Sequence, residues 1–291
     1  MNQNFFKKSK GVTLIELLIA MLISAILIAG IYRTFIHQQK TYATQEQVAD
    51  MQQNVRVSIN RMMREIRMAG FGSIQGVLPV TFLGGTRTYT DVVNLDVPVA
   101  GALTIVSAIG GTATLLKQPG DSVGAIVLAS NQIQVSALAE FDTNNKRYIS
   151  IGGLESHIIT AIDVANRILT LNTDVGNFYN IDGSTVCSIH TTCVYAIRGI
   201  SYRIVIDATG SPILRRDENT GGGFQPMADN IEAIEFRNPD GSTPLNPNSM
   251  SIQVTVTART DRPDPELLKG GGDGYRRRQF TSIILQRNRG L

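Results

Sequence analysis

The stretch GVTLIELLIAMLISAILIAGIY, running from Gly11 to Tyr32, decides the fold. Every residue in it is apolar, small or neutral except Glu16. As a helix at 1.5 Å per residue it is about 33 Å long, enough to span a bilayer. Just before it stand Lys7, Lys8 and Lys10, with no acid among the first eleven residues. By the positive-inside rule the N-terminus then faces the cytoplasm and the bulk of the chain lies outside. A secretory signal peptide places its apolar stretch before the cleavage site; here the basic, polar leader comes first and ends at Gly11. An acid at the centre of a membrane helix costs about 2.5–3.5 kcal/mol on insertion scales and less near its end, so Glu16 needs a partner.

Gly11-Val12-Thr13-Leu14-Ile15-Glu16 resembles the cleavage and methylation motif of type IV prepilins, with Val12 in place of the usual Phe. The resemblance implies that a prepilin peptidase cuts between Gly11 and Val12 and that the new amine of Val12 is N-methylated. Methylation keeps the amine cationic. Val12 and Glu16 are four residues apart, on one face of a helix, so the acid has a cationic partner in its own or a neighbouring N-terminus. In the family this pair sets an incoming subunit in register at the base of the filament.

Beyond the apolar run no Pro or Gly interrupts Ile31 to Ala69. Val48, Met51, Val55, Ile59, Met62, Ile66 and Ala69 recur at steps of three and four, which predicts an amphipathic continuation of the same helix. Arg56, Arg61, Arg64, Glu65 and Arg67 occupy other faces and read as solvated or as bridges to neighbouring subunits. Gly70 and Gly72 end the helix. The expected organisation is a leader over 1–11, a long helix over 12–72 with its filament-core part at 12–32, and a body over 73–291.

From Ile74 the pattern changes to short runs of alternating residues. In SIQVTVTAR, Ile252, Val254 and Val256 face one way, and Gln253, Thr255 and Thr257 the other. The fold class is therefore α+β: one long N-terminal helix whose second half packs on a mostly antiparallel β body. The stretch from about 101 to 190 reads as an inserted β subdomain, GAIVLAS as one of its strands, and MADNIEA as a short helix or turn. The segment DRPDPELLKGGGDGYRRRQ reads as a polar loop between the last two strands, with Arg276, Arg277 and Arg278 solvated.

Only two cysteines occur, Cys187 and Cys193. With His190 they supply too few ligands for a closed zinc site, and outside the cytoplasm a small disulfide loop is expected. His37, His157 and His190 lie in unrelated contexts, and no nucleophile, phosphate-loop or metalloprotease motif is present. No catalysis, metal or cofactor is expected. The net charge is +3, but the leader holds three of the 27 basic residues and none of the 24 acidic ones, so the rest is formally neutral. That balance argues against a nucleic-acid partner.

RMMREIRMAGFG and the tail from Phe280 to Asn288 narrow the resemblance to PilW-type minor pilins. This covers the first 72 residues and the last strand. It implies a non-catalytic protein that primes type IV pilus assembly in the tip complex, with other minor pilins, the major pilin and a large tip adhesin as partners. It further implies residence in the inner membrane, body in the periplasm, before assembly and in the extracellular pilus afterwards. The alternatives are a J-type minor pseudopilin of type II secretion and an adhesive or DNA-uptake pilin.

Overall fold

A computed structural model describes residues 11–71, 93–95, 102–116, 131–144, 146–176, 179, 192–243, 245–246 and 249–287 of the 291. One helix, α1, runs from Leu14 to Arg67. The chain divides into two units, Met1–Asp50 and Met51–Leu291.

In the first unit α1 is apolar all round as far as Tyr32 and buries none of those residues, with Leu14, Ile19, Leu22, Ile26 and Ile31 all exposed. It is long and apolar enough to cross a membrane. Gly30 lies within continuous helix, where a side chain in its place would touch nothing.

In the second unit the rest of α1 behaves as its periodicity requires. Met51, Val55, Met62 and Ile66 are buried, with Ala69 in the turn beyond, whereas Ile59 is only half-buried. Ser58 is buried in the same stripe, its hydroxyl satisfied by donating to the Asn54 carbonyl at 2.7 Å. Gly70, at φ +72°, turns the chain off the helix, a conformation open to glycine at little cost. Its N–H donates to Val106 O at 3.1 Å, and Phe71 O accepts from Ala108 N–H at 2.9 Å, so the helix end is stitched to the body.

The body carries twelve strands in antiparallel pairings among the described residues. They are β1 (Val93–Leu95), β2 (Leu103–Leu116), β3 (Gln132–Val135), β4 (Tyr148–Ile151), β5 (Glu155–Asp163) and β6 (Ile168–Leu171). After these come β7 (Cys193–Ile206), β8 (Pro212–Asp217), β9 (Gln225–Asp229), β10 (Ile231–Arg237), β11 (Ser251–Arg259) and β12 (Arg277–Leu285). Nine strands form a sheet in the order β1-β2-β3-β6-β5-β4-β7-β8-β9, and β2 also pairs with β7. That extra pairing closes β2, β3, β6, β5, β4 and β7 into a ring. A shift of register in β2 between Ala108 and Thr112 lets its two halves serve different neighbours. Inside the ring sit Leu115, Ile133, Val135, Ile149, Ile151, Ile159, Leu169, Leu171 and Val194.

The other sheet is β10-β11-β12. Its alternation is as the sequence implies: Ile252, Val254, Val256 and Ala258 are buried and the residues between them half-buried. Two readings are corrected. MADNIEA is neither helix nor simple turn: Met227, Ala228 and Asp229 end β9, Asn230 turns at φ +60°, and β10 begins at Ile231. The polar loop before β12 contains a short helix, α2 (Pro265–Lys269), capped by the Asp264 side chain accepting from Glu266 N–H. GAIVLAS lies outside the described residues.

Candidate assembly site and the helix clamp

At the start of α1, Thr13 is the helix cap. Its N–H and its hydroxyl both donate to Glu16 Oε2 at 2.9 Å, and Glu16 N–H donates to Thr13 Oγ1 at 3.4 Å. This is a capping box, Thr-x-x-Glu, in which two N–H groups that a helix start leaves unpaired are satisfied reciprocally. The signal for it is present in TLIE, so Glu16 serves the helix cap as well as being the acid expected to pair with Val12. The cap uses Oε2, and among the described residues Glu16 Oε1 accepts no hydrogen bond. Val12 is exposed at 74%. A Cβ placed on Gly11 would meet nothing within 4 Å, so the fold makes no demand for glycine there.

A second polar centre stands within the body unit. Tyr202 on β7 and Arg216 on β8 are direct cross-strand neighbours, so both side chains leave the same face of the sheet. They converge on Glu65 of α1. Arg216 Nη2 and Nε donate to Glu65 Oε1 at 2.8 and 3.1 Å, and the Tyr202 hydroxyl donates to Glu65 Oε2. Arg216 Nη1 reaches Glu218 Oε1 at 2.6 Å. Burial pushes the Tyr202 hydroxyl far up, and the Glu65 carboxylate pushes it further. Burial opposes the charge on Arg216, but the bonds to Glu65 and Glu218 outweigh it and hold the guanidinium charged. Glu65 is thus not part of a solvated helix face; it is the anchor of α1 on the sheet.

A third centre lies beside the strand ring. Glu155 and His157, at i and i+2 on β5, share a face and are 1% and 3% exposed. His157 Nε2 lies 3.0 Å from Glu155 Oε2 and Nδ1 lies 2.9 Å from Thr173 Oγ1. Glu155 also accepts from the Tyr179 hydroxyl at 2.6 Å and from Gly176 N–H at 2.9 Å. Burial would raise the Glu155 carboxyl, but these hydrogen bonds and the His157 charge lower it to about 2. These partners all lie within the body, and the cluster ties β5 to Thr173, Gly176 and Tyr179.

The loop arginines are not all solvated. Arg276 Nη2 pairs with Asp264 Oδ2 at 2.6 Å, and Arg277 pairs with Glu232 and Asp273. Cys193 opens β7 and is buried, whereas Cys187 and His190 lie outside the described residues, as does the basic leader.

No curated protein and no solved structure matches the chain. The family model described as the prokaryotic N-terminal methylation motif matches residues 6–32, which covers the capped helix start and the apolar run as far as Tyr32 and supports a type IV pilin-like prepilin.

Proposed function

We propose that this protein is a minor pilin of the type IV pilus, of the PilW type, acting as a structural part in the priming of assembly and in the tip complex. Its partners are other minor pilins, the major pilin and a large tip adhesin. A prepilin peptidase cuts after Gly11, Val12 is then N-methylated, and Cys187 and Cys193 close a disulfide in the body. The protein starts in the inner membrane with its body in the periplasm and ends outside the cell in the pilus.

One observation carries the reading. Within its own unit the apolar half of α1 is exposed, and at its head the cap uses Glu16 Oε2 while Oε1 accepts no hydrogen bond among the described residues. A surface of this kind needs lipid before assembly and neighbouring helices after it. The free Oε1 is the atom on which the Val12 amine, of the same or an adjacent subunit, would rest. Glu16→Ala should leave cleavage largely intact and reduce incorporation into sheared pili; normal incorporation would remove the pairing role. Gly11→Ala should leave precursor heavier by the leader, and normal processing would remove the cleavage assignment.

A further inference from the structure

Between α1 and the strands β7 and β8 lies an open groove of about 670 Å³ with a surplus of positive charge. Arg61, Arg64, Arg198 and Arg216 line it, against Glu65 and Glu218. Both acids are already engaged: Glu65 by Arg216 and Tyr202, Glu218 by Arg216. Arg61 stands 3.6 Å from the same Glu65. Arg64 and Arg198 have no carboxylate within ion-pair distance among the described residues. Arg198, half-buried, is the arginine of this groove whose Nε meets no acceptor among the described residues, and only Glu218 lies near enough to feel its charge. Val57, Met68 and Ile200 supply apolar wall beside these arginines.

We infer that this groove is a docking site for an acidic segment of another protein, two carboxylates flanked by apolar side chains, with Arg64 and Arg198 as the receiving pair. A guanidinium presents a fork matched to a carboxylate, and four arginines against two already bonded glutamates leave this groove with charge that an acidic partner would balance. A polyphosphate fits less well. Two arginines without a bonded carboxylate, in one short groove on a chain that is formally neutral beyond its first eleven residues, cannot neutralise a run of phosphates, and such contacts supply most nucleic-acid affinity. The inference does not depend on processing at Gly11 or on the role of Glu16, and it can fail while those hold.

The test uses the full chain in detergent micelles and fluorescence anisotropy of a labelled peptide with two glutamates set between leucine and valine. Saturable binding that weakens as salt rises from 50 to 500 mM is expected, with at least tenfold weaker binding of the peptide's glutamine twin. Arg64→Gln with Arg198→Gln should weaken binding tenfold or more, Arg198→Lys should restore part of it, and Arg262→Gln, an exposed loop arginine, should leave it unchanged. Thermal unfolding of each variant separates lost binding from lost fold. Equal binding of the glutamine twin, full binding by the double variant, no saturation at millimolar peptide, or displacement by inorganic phosphate at lower concentration than the peptide requires would each overturn the assignment.

Discussion

Arg216 and Glu65 are 151 residues apart in the chain and meet through a forked contact, with Nη2 and Nε both on Oε1 at 2.8 and 3.1 Å. The two side chains are about one-tenth exposed. Removing Arg216 leaves the Glu65 carboxylate buried with only the Tyr202 hydroxyl and the more distant Arg61, whereas removing both residues leaves no buried charge. Arg216→Met should therefore cost about 3–5 kcal/mol in urea unfolding of the body. Glu65→Met with Arg216→Met should be distinctly more stable than Arg216→Met alone. Equal loss in the single and double variants would show that the stranded Glu65 carboxylate carries no penalty of its own.

The Glu155 cluster makes a prediction about acid. The carboxyl titrates near pH 2 when folded, below its ordinary value of 4.5. A depressed carboxylate adds stability that is fully present above about pH 4.5 and is lost as pH falls toward 2, since only the unfolded chain binds the proton in that interval. The contribution is on the order of 3 kcal/mol. Urea midpoints measured from pH 6 to pH 2 should fall less steeply for Glu155→Gln than for the unaltered protein across that window. Parallel slopes would mean that the cluster does not control acid stability.

The loop between β11 and β12 depends on one glycine. Gly274 has φ +82°, and a Cβ there would lie 2.7 Å from Leu268 Cγ and 2.8 Å from Pro263 Cβ. Gly274→Ala combines a strained backbone with a clash and should cost about 2 kcal/mol or displace α2. Faster proteolysis within residues 261–276 is the readout. Gly271→Ala shares the positive φ without any neighbour within 4 Å and should be milder.

The cysteines are open to a chemical check. Thiol labelling of the folded protein, before and after reduction, should find Cys187 and Cys193 blocked until reductant is added. Two reactive thiols before reduction would remove the disulfide.

Legibility in the sequence followed the range of the interaction. The stripe on α1 and the alternation in β11 are periodic within a few residues, so both could be read directly. β9 is hidden in the sequence because Pro226 and the glycines before it signal a turn; β9 stands at the end of its sheet, where a residue without an N–H is tolerated. α2 does have a local signal, Asp264-Pro265 being a cap followed by proline at the first helical position, but it is hidden in a polar, glycine-rich stretch. The Thr13–Glu16 box was readable in the same way.

By itself the sequence determined the long helix, the place where it changes from apolar all round to one-sided, the β character of the body and the acid at the helix head. Each follows from residue types at fixed local spacing, where geometry leaves few alternatives. Only the tertiary structure decided that β2 and β7 close a ring, that Glu65 serves the sheet instead of solvent, and that Arg64 and Arg198 are left facing a groove. Those outcomes depend on which distant residues arrive within about 3 Å of one another, and side-chain charge specifies no partner until the backbone has brought one there.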